Sequence, residues 1–174
     1  MQEFPVLVSS AKTISVFPGW SAPEKETGYM WFDVPLEIDG ITVAGLNLHG
    51  GCYERHPQKH VTFELRIGRS PGRKCLPLIR MCWRSLQGGH SNPRLGTSEW
   101  AGIRVSDTHL HSFELNWLPE EVRMRGQNLR IAREIDEQLD TFSAVKRFVG
   151  INFNINNIDL VTNPNWVYDL FHDG

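Results

Sequence analysis

The sequence is short of cysteine, of lysine and of long apolar runs, and each shortage narrows the field. Its three cysteines, Cys52, Cys75 and Cys82, form no CxxC pair and leave an odd thiol. That disfavours a disulfide-stapled extracellular domain, and a reducing cytoplasm is the expected setting. There is no Asn-x-Ser/Thr sequon, and the opening MQEFPVLVSS lacks the basic start and apolar stretch of a secretory signal. No run approaches the roughly 18 to 20 apolar residues a membrane-spanning helix requires. No membrane partner is therefore expected. Walker, GxGxxG, GxSxG and HExxH motifs are all missing, which removes the common nucleotide-fold, serine-hydrolase and zincin templates.

What is present is ordinary in bulk and uneven in placement. A chain of 174 residues with 40% hydrophobic and 22% charged content reads as one soluble domain, residues 1–174. The net charge of −2 conceals a basic middle: residues 55–94 carry 9 basic and 1 acidic side chain, with acidic segments on either side. Of the 18 cations, 13 are arginine, whose planar fork suits oxyanions. This pattern points to a local anion site and argues against a broad basic coat.

The hydrophobic patterning predicts an α+β fold: a hairpin-built antiparallel sheet with a helix late in the chain. Residues 1–27 read as an edge strand from Phe4 to Val8 and a loop. Residues 28–135 read as mainly sheet and residues 140–174 as a helix with a C-terminal segment. Asp39-Gly40 separates two strand-like runs and marks a hairpin in which Ile38 faces Ile41, Leu36 faces Val43 and Met30 faces His49. Pro35 predicts an edge or a bulge in the first of these strands. VTFELRI alternates cleanly, and in CLPLIRMCWRSL Ile79, Met81 and Trp83 point one way, Arg80, Cys82 and Arg84 the other. HLHSFELNW is expected to continue as a strand with His109, His111, Phe113, Leu115 and Trp117 on one face. LRIAREI is read as a further strand. Asp140 or Thr141 caps a helix through DTFSAVKRFVGINF, with Gly150 as a possible early stop, and WVYDLF reads as a terminal helical turn.

The chemistry is expected where the histidines gather. His109 and His111 on one strand lie about 6 to 7 Å apart on the same side, close enough to serve one phosphate or one metal. An imidazole titrates near neutrality, so the pair are candidate acid–base groups, with His90 as a third catalytic candidate. Arg80 and Arg84 are candidate phosphate clamps beside them, and the basic stretch adds Arg66, Arg69, Arg73 and Lys74. In GGHSNP the glycines permit close backbone approach, and Asn92 joins His90 as an orienting residue. A metal would need a third or fourth ligand that only folding could supply, from His49 or His90. No metal ligand and no cofactor is therefore assigned, and Cys82 is read as a structural thiol.

The succession Trp83-Arg84, GGHSNP, His109-Leu110-His111 and a late helix resembles uncharacterised bacterial and phage domains in which an HxNP loop precedes an HxH strand. The resemblance covers about residues 79–153. It implies toxin-like relatives with no established reaction, and it points to His90, Asn92, His109 and His111 together. The leading expectation is a toxin-like, metal-independent ribonuclease or phosphodiester-binding protein, with RNA or a small phosphate ligand, and a cognate protein, as the expected partners. The alternatives are a non-enzymatic interaction domain and a metal-dependent enzyme with histidine ligands.

Overall fold

A computed structural model describes residues 4–68, 75–95, 99–121, 123–124 and 129–168. Arg69, Arg73, Lys74 and the 169–171 part of the expected terminal turn lie outside the described residues. The body is a seven-stranded antiparallel sheet. Its strands are β1 (Thr13–Ile14), β2 (Tyr29–Ile38), β3 (Ile41–Tyr53), β4 (Val61–Ile67), β5 (Leu76–Trp83), β8 (His109–His111) and β11 (Arg133–Glu134), adjacent in that order. A small hairpin, β6 (His90–Ser91) with β7 (Arg104–Val105), and a pair, β9 (Trp117–Leu118) with β10 (Arg123–Met124), stand apart from it. The helices are α1 (Phe4–Ser9), α2 (Phe113–Asn116) and α3 (Phe142–Phe153). The α+β class and the late main helix are as the patterning predicts. Among the described residues no helix is long and apolar enough to cross a membrane.

Alternation divides the sheet into two faces. Phe32, Gly50, Phe63, Met81 and Leu110 occupy one register row on the apolar face, where the Phe32 ring takes the space a Cβ at Gly50 would fill. Phe142, Val145, Phe148, Val149 and Phe153 of α3 are buried in the core that lines this face. The indole N–H of Trp83 donates to the Leu139 carbonyl at 2.8 Å, tying the end of β5 to the approach of α3. Thr141 caps α3 by accepting from the Ala144 N–H, and the helix passes Gly150 to end at Asn154 in the left-handed conformation.

Five local expectations are corrected. Phe4–Ser9 is helical, because Phe4, Leu7 and Val8 recur at helical spacing and pack inward. The ammonium of Lys12, itself fully buried, caps that helix by donating to the carbonyls of Leu7, Val8 and Ser10. In the β2–β3 hairpin Ile38 does face Ile41, but the register shifts between Pro35 and Glu37, so Met30 faces Cys52 and Asp33 faces His49. Pro35 therefore marks a bulge inside the sheet, with β1 covering the outer side. The strand after His109 stops at His111: Ser112 opens a helical turn, and Phe113 stacks on Trp117 one turn later at 5.2 Å. Of LRIAREI only Arg133–Glu134 pairs as strand, and Trp166–Tyr168 is not helical.

Candidate metal centre

The polar face of the sheet carries two register rows. The first runs Asp33, His49, Glu64, Arg80, His111 across β2, β3, β4, β5 and β8. The second runs Trp31, Gly51, Thr62, Cys82, His109, Glu134. Antiparallel pairing of β5 with β8 sets Cys82 opposite His109 and Arg80 opposite His111, with all four side chains on one face. One ligand atom each from Cys82, His109 and His111 lies within 4.8 Å of the others. A tetrahedral zinc-type ion holds such atoms roughly 3.5 Å apart, given bonds of about 2.0 to 2.3 Å.

The third histidine comes from the hairpin. His90 stacks edge-on to His111, with ring centroids 4.8 Å apart, and sits 5.8 Å from the ring of His109. The rings of His109 and His111 are themselves 5.0 Å apart. The three histidines singled out in the sequence are thus brought together. His90 does not belong to the tight ligand group, and its Nε2 donates to the Arg130 carbonyl at 2.9 Å. The close approach expected at the GGHSNP glycines is real at Gly89, where an added Cβ would collide with the Val105 carbonyl of the neighbouring strand.

Burial and hydrogen bonding prepare these groups as ligands. His109 and His111 are only 4% and 3% exposed. The Nδ1 of His109 lies 2.8 Å from the Ser106 carbonyl oxygen. A carbonyl only accepts, so Nδ1 carries the hydrogen and Nε2 keeps a free lone pair, the arrangement that orients metal-bound imidazoles. The Nδ1 of His111 is buried without a partner. Burial pushes the His111 pKa down to about 2, helped by the neighbouring His109, Arg80 and His90. Burial also lowers His109, against the opposing hydrogen bond to Ser106. Both imidazoles are therefore neutral at pH 7. The Cys82 thiol is pushed up to about 11 by burial, with Arg80 acting in the opposite direction.

The other sequence-singled residues divide. Arg80 lies beside the cluster, its Nε 2.5 Å from Glu64 Oε1. Arg66 pairs with Asp33 on the same face. Arg84 leaves the strand pattern in a left-handed conformation at φ 49°, so it does not repeat the direction of Arg80. Its guanidinium covers the Trp83 ring and approaches Asp140 at 3.8 Å, lining a cavity of about 630 Å³ to which none of the three histidines contributes. Asn92 is buried and turned to the backbone: it donates to the Ala132 carbonyl at 2.7 Å and accepts from the Ala132 N–H at 2.8 Å. It orients the hairpin and the 131–132 segment, and no side-chain atom of it faces the histidines through these bonds. Asn116, which sequence reasoning passed over, clamps Ile131 in the same two-way manner.

Cys82, read from the sequence as a structural thiol, is the residue the fold adds to the two strand histidines. Its only signal was alternation with Arg80 on a strand close in sequence to the HxH strand, and the pairing register turns that into a shared site. Comparison with protein-family models, with curated proteins and with solved structures returns no match.

Proposed function

We propose that this protein binds a zinc-class transition metal through Cys82, His109 and His111, leaving one coordination position for an exogenous ligand beside His90. The observation that carries this reading is the mutual approach of one sulfur and two imidazole ligand atoms within 4.8 Å on paired strands. A borderline-soft thiolate with two neutral imidazoles is a donor set that zinc, cobalt(II) and related ions prefer over magnesium or calcium. Three protein ligands with a fourth position open is the catalytic pattern of such sites, where a four-ligand cage is the structural one.

The reading departs from the expectation of a metal-free phosphodiester site. General acid–base work needs an imidazole that exchanges protons near neutrality. Buried, neutral His109 and His111 suit a metal better than that role. His90, half-buried and tethered through Nε2, keeps Nδ1 as an acceptor at the edge of the cluster. RNA or another phosphate ester remains a substrate class for the site, with the metal in the place first given to the second imidazole. The toxin-like resemblance rests on the same motif residues and is tested with them.

The test is direct. Protein purified without chelator is expected to carry about one equivalent of zinc or a similar ion by elemental analysis, and the metal-free protein to take up cobalt(II) with a tetrahedral visible spectrum and a thiolate charge-transfer band. Cys82→Ser should abolish the charge-transfer band, and His111→Ala should abolish uptake. A folded wild type that takes up neither ion sinks the proposal.

A further inference from the structure

We infer that the open position of this centre accepts an oxyanion, a carboxylate or a phosphate group, and that Arg80 holds that group. The inference rests on the metal reading above and names the ligand class it leaves open. Arg80 faces His111 across the β5–β8 pair and is two residues from Cys82 on the same strand face. Its positive charge acts on both ligands. Glu64, its neighbour across the other strand pair, fixes the guanidinium through Nε. The two terminal nitrogens have no partner among the described residues, and the side chain keeps 26% of its surface open. A guanidinium pinned at Nε presents the remaining edge in a set orientation, and that edge matches two oxygens of one oxyanion.

The charge balance points the same way. A divalent ion with one thiolate and two neutral imidazoles leaves a net charge of +1. The Glu64–Arg80 pair adds nothing to that sum. A positive centre in a mostly buried setting favours an anion over a neutral ligand, because water reaches it poorly. No carboxylate is a cross-strand neighbour of Cys82 or His111: those places are held by Thr62, His109 and Arg80. Glu134 does face His109, but both its oxygens are engaged by Ser106, through the backbone N–H and the hydroxyl. The protein thus sets a cation beside the centre, while the two nearest strand carboxylates, Glu64 and Glu134, are each held by a partner.

The cobalt(II)-loaded protein provides the test. Acetate and inorganic phosphate are titrated separately while the visible spectrum is followed. A saturable spectral change with at least one of them is expected, and the tighter of the two names the group. Arg80→Gln should weaken that binding about tenfold or more while leaving cobalt affinity within a few-fold of wild type. Arg80→Lys, which keeps the charge and loses the fork, should fall between the two and guards against a merely misfolded variant. A loaded protein indifferent to both anions overturns the inference and leaves the metal reading intact, as does an Arg80→Gln variant that binds them as tightly as wild type. Failure to load cobalt at all overturns the metal reading first.

Discussion

The proposed centre depends on a few side chains held in states they would not adopt in water. His111 is the clearest case. Its folded pKa is far below the ordinary value near 6.5, so from pH 6.5 down to about 2 the unfolded chain takes up a proton that the folded chain refuses. Stability from this group is complete above pH 6.5 and drains away as the solution is acidified, by about 1.4 kcal/mol for each pH unit. Denaturant unfolding of the metal-free protein should therefore show a loss of about 2 kcal/mol between pH 6.5 and 5 from His111 alone. His109 acts in the same direction. His111→Leu should flatten that dependence, and a variant as acid-sensitive as wild type would show that His111 is not buried neutral. His109 and His111 could be picked out because a histidine pair at i, i+2 is visible in any strand reading. Cys82 could not, because a thiol flanked by arginines on one strand has no special meaning until the neighbouring strand's register is known.

At the scale of elements, two asparagines do what a strand would otherwise do. Asn92 and Asn116 satisfy the backbone N–H and C=O groups of Ala132 and Ile131, one residue each, and so hold that segment against the hairpin that carries His90 and the turn that follows His111. A side-chain amide has a donor and an acceptor at the spacing of a peptide group, which is why asparagine fits both places. Asn92→Ala leaves both backbone groups of Ala132 without their partner, while the Trp100 carbonyl keeps the Ile103 N–H. It should cost about 2 to 4 kcal/mol. It should also speed amide hydrogen exchange at Ala132 in particular; unchanged protection there would refute the clamp. The main strands and α3 were legible because alternation and helical spacing mark a buried face. The short pieces were less so. Phe4–Ser9 has too few residues to separate the two periodicities by eye, and the break after His111 depends on Ser112 and on a clamp from a segment distant in sequence. The offset in the β2–β3 hairpin was half legible, since Pro35 announced a bulge but not how many residues it would absorb.

For the molecule as a whole, the sheet separates its apolar core from its ionisable groups by face. One face is filled by Phe32, Phe63, Met81, Trp83 and α3. The other carries rows of ionisable groups, and four buried polar atoms on it lack partners: Asp33 Oδ1, His49 Nδ1, Arg66 Nε and His111 Nδ1. Of the nine cations in the basic middle of the chain, three, Arg66, Arg80 and Arg84, are each opposed by an acid, Asp33, Glu64 and Asp140. Of these three, Arg80 borders the histidines. Unsatisfied polar groups on one face weaken the metal-free fold, and a ligand that binds only the folded state restores the balance. Zinc at a hundredfold excess over its dissociation constant should stabilise the protein by about 2.7 kcal/mol. For a chain of this length that corresponds to a rise in Tm of roughly 5 to 10 °C. The rise should vanish in Cys82→Ser combined with His111→Ala, whereas Arg84→Gln, which alters only the separate cavity, should retain it in full. A wild type whose Tm ignores zinc, cobalt and nickel alike would place the clustered histidines among ordinary buried side chains and remove the functional distinction between the two faces.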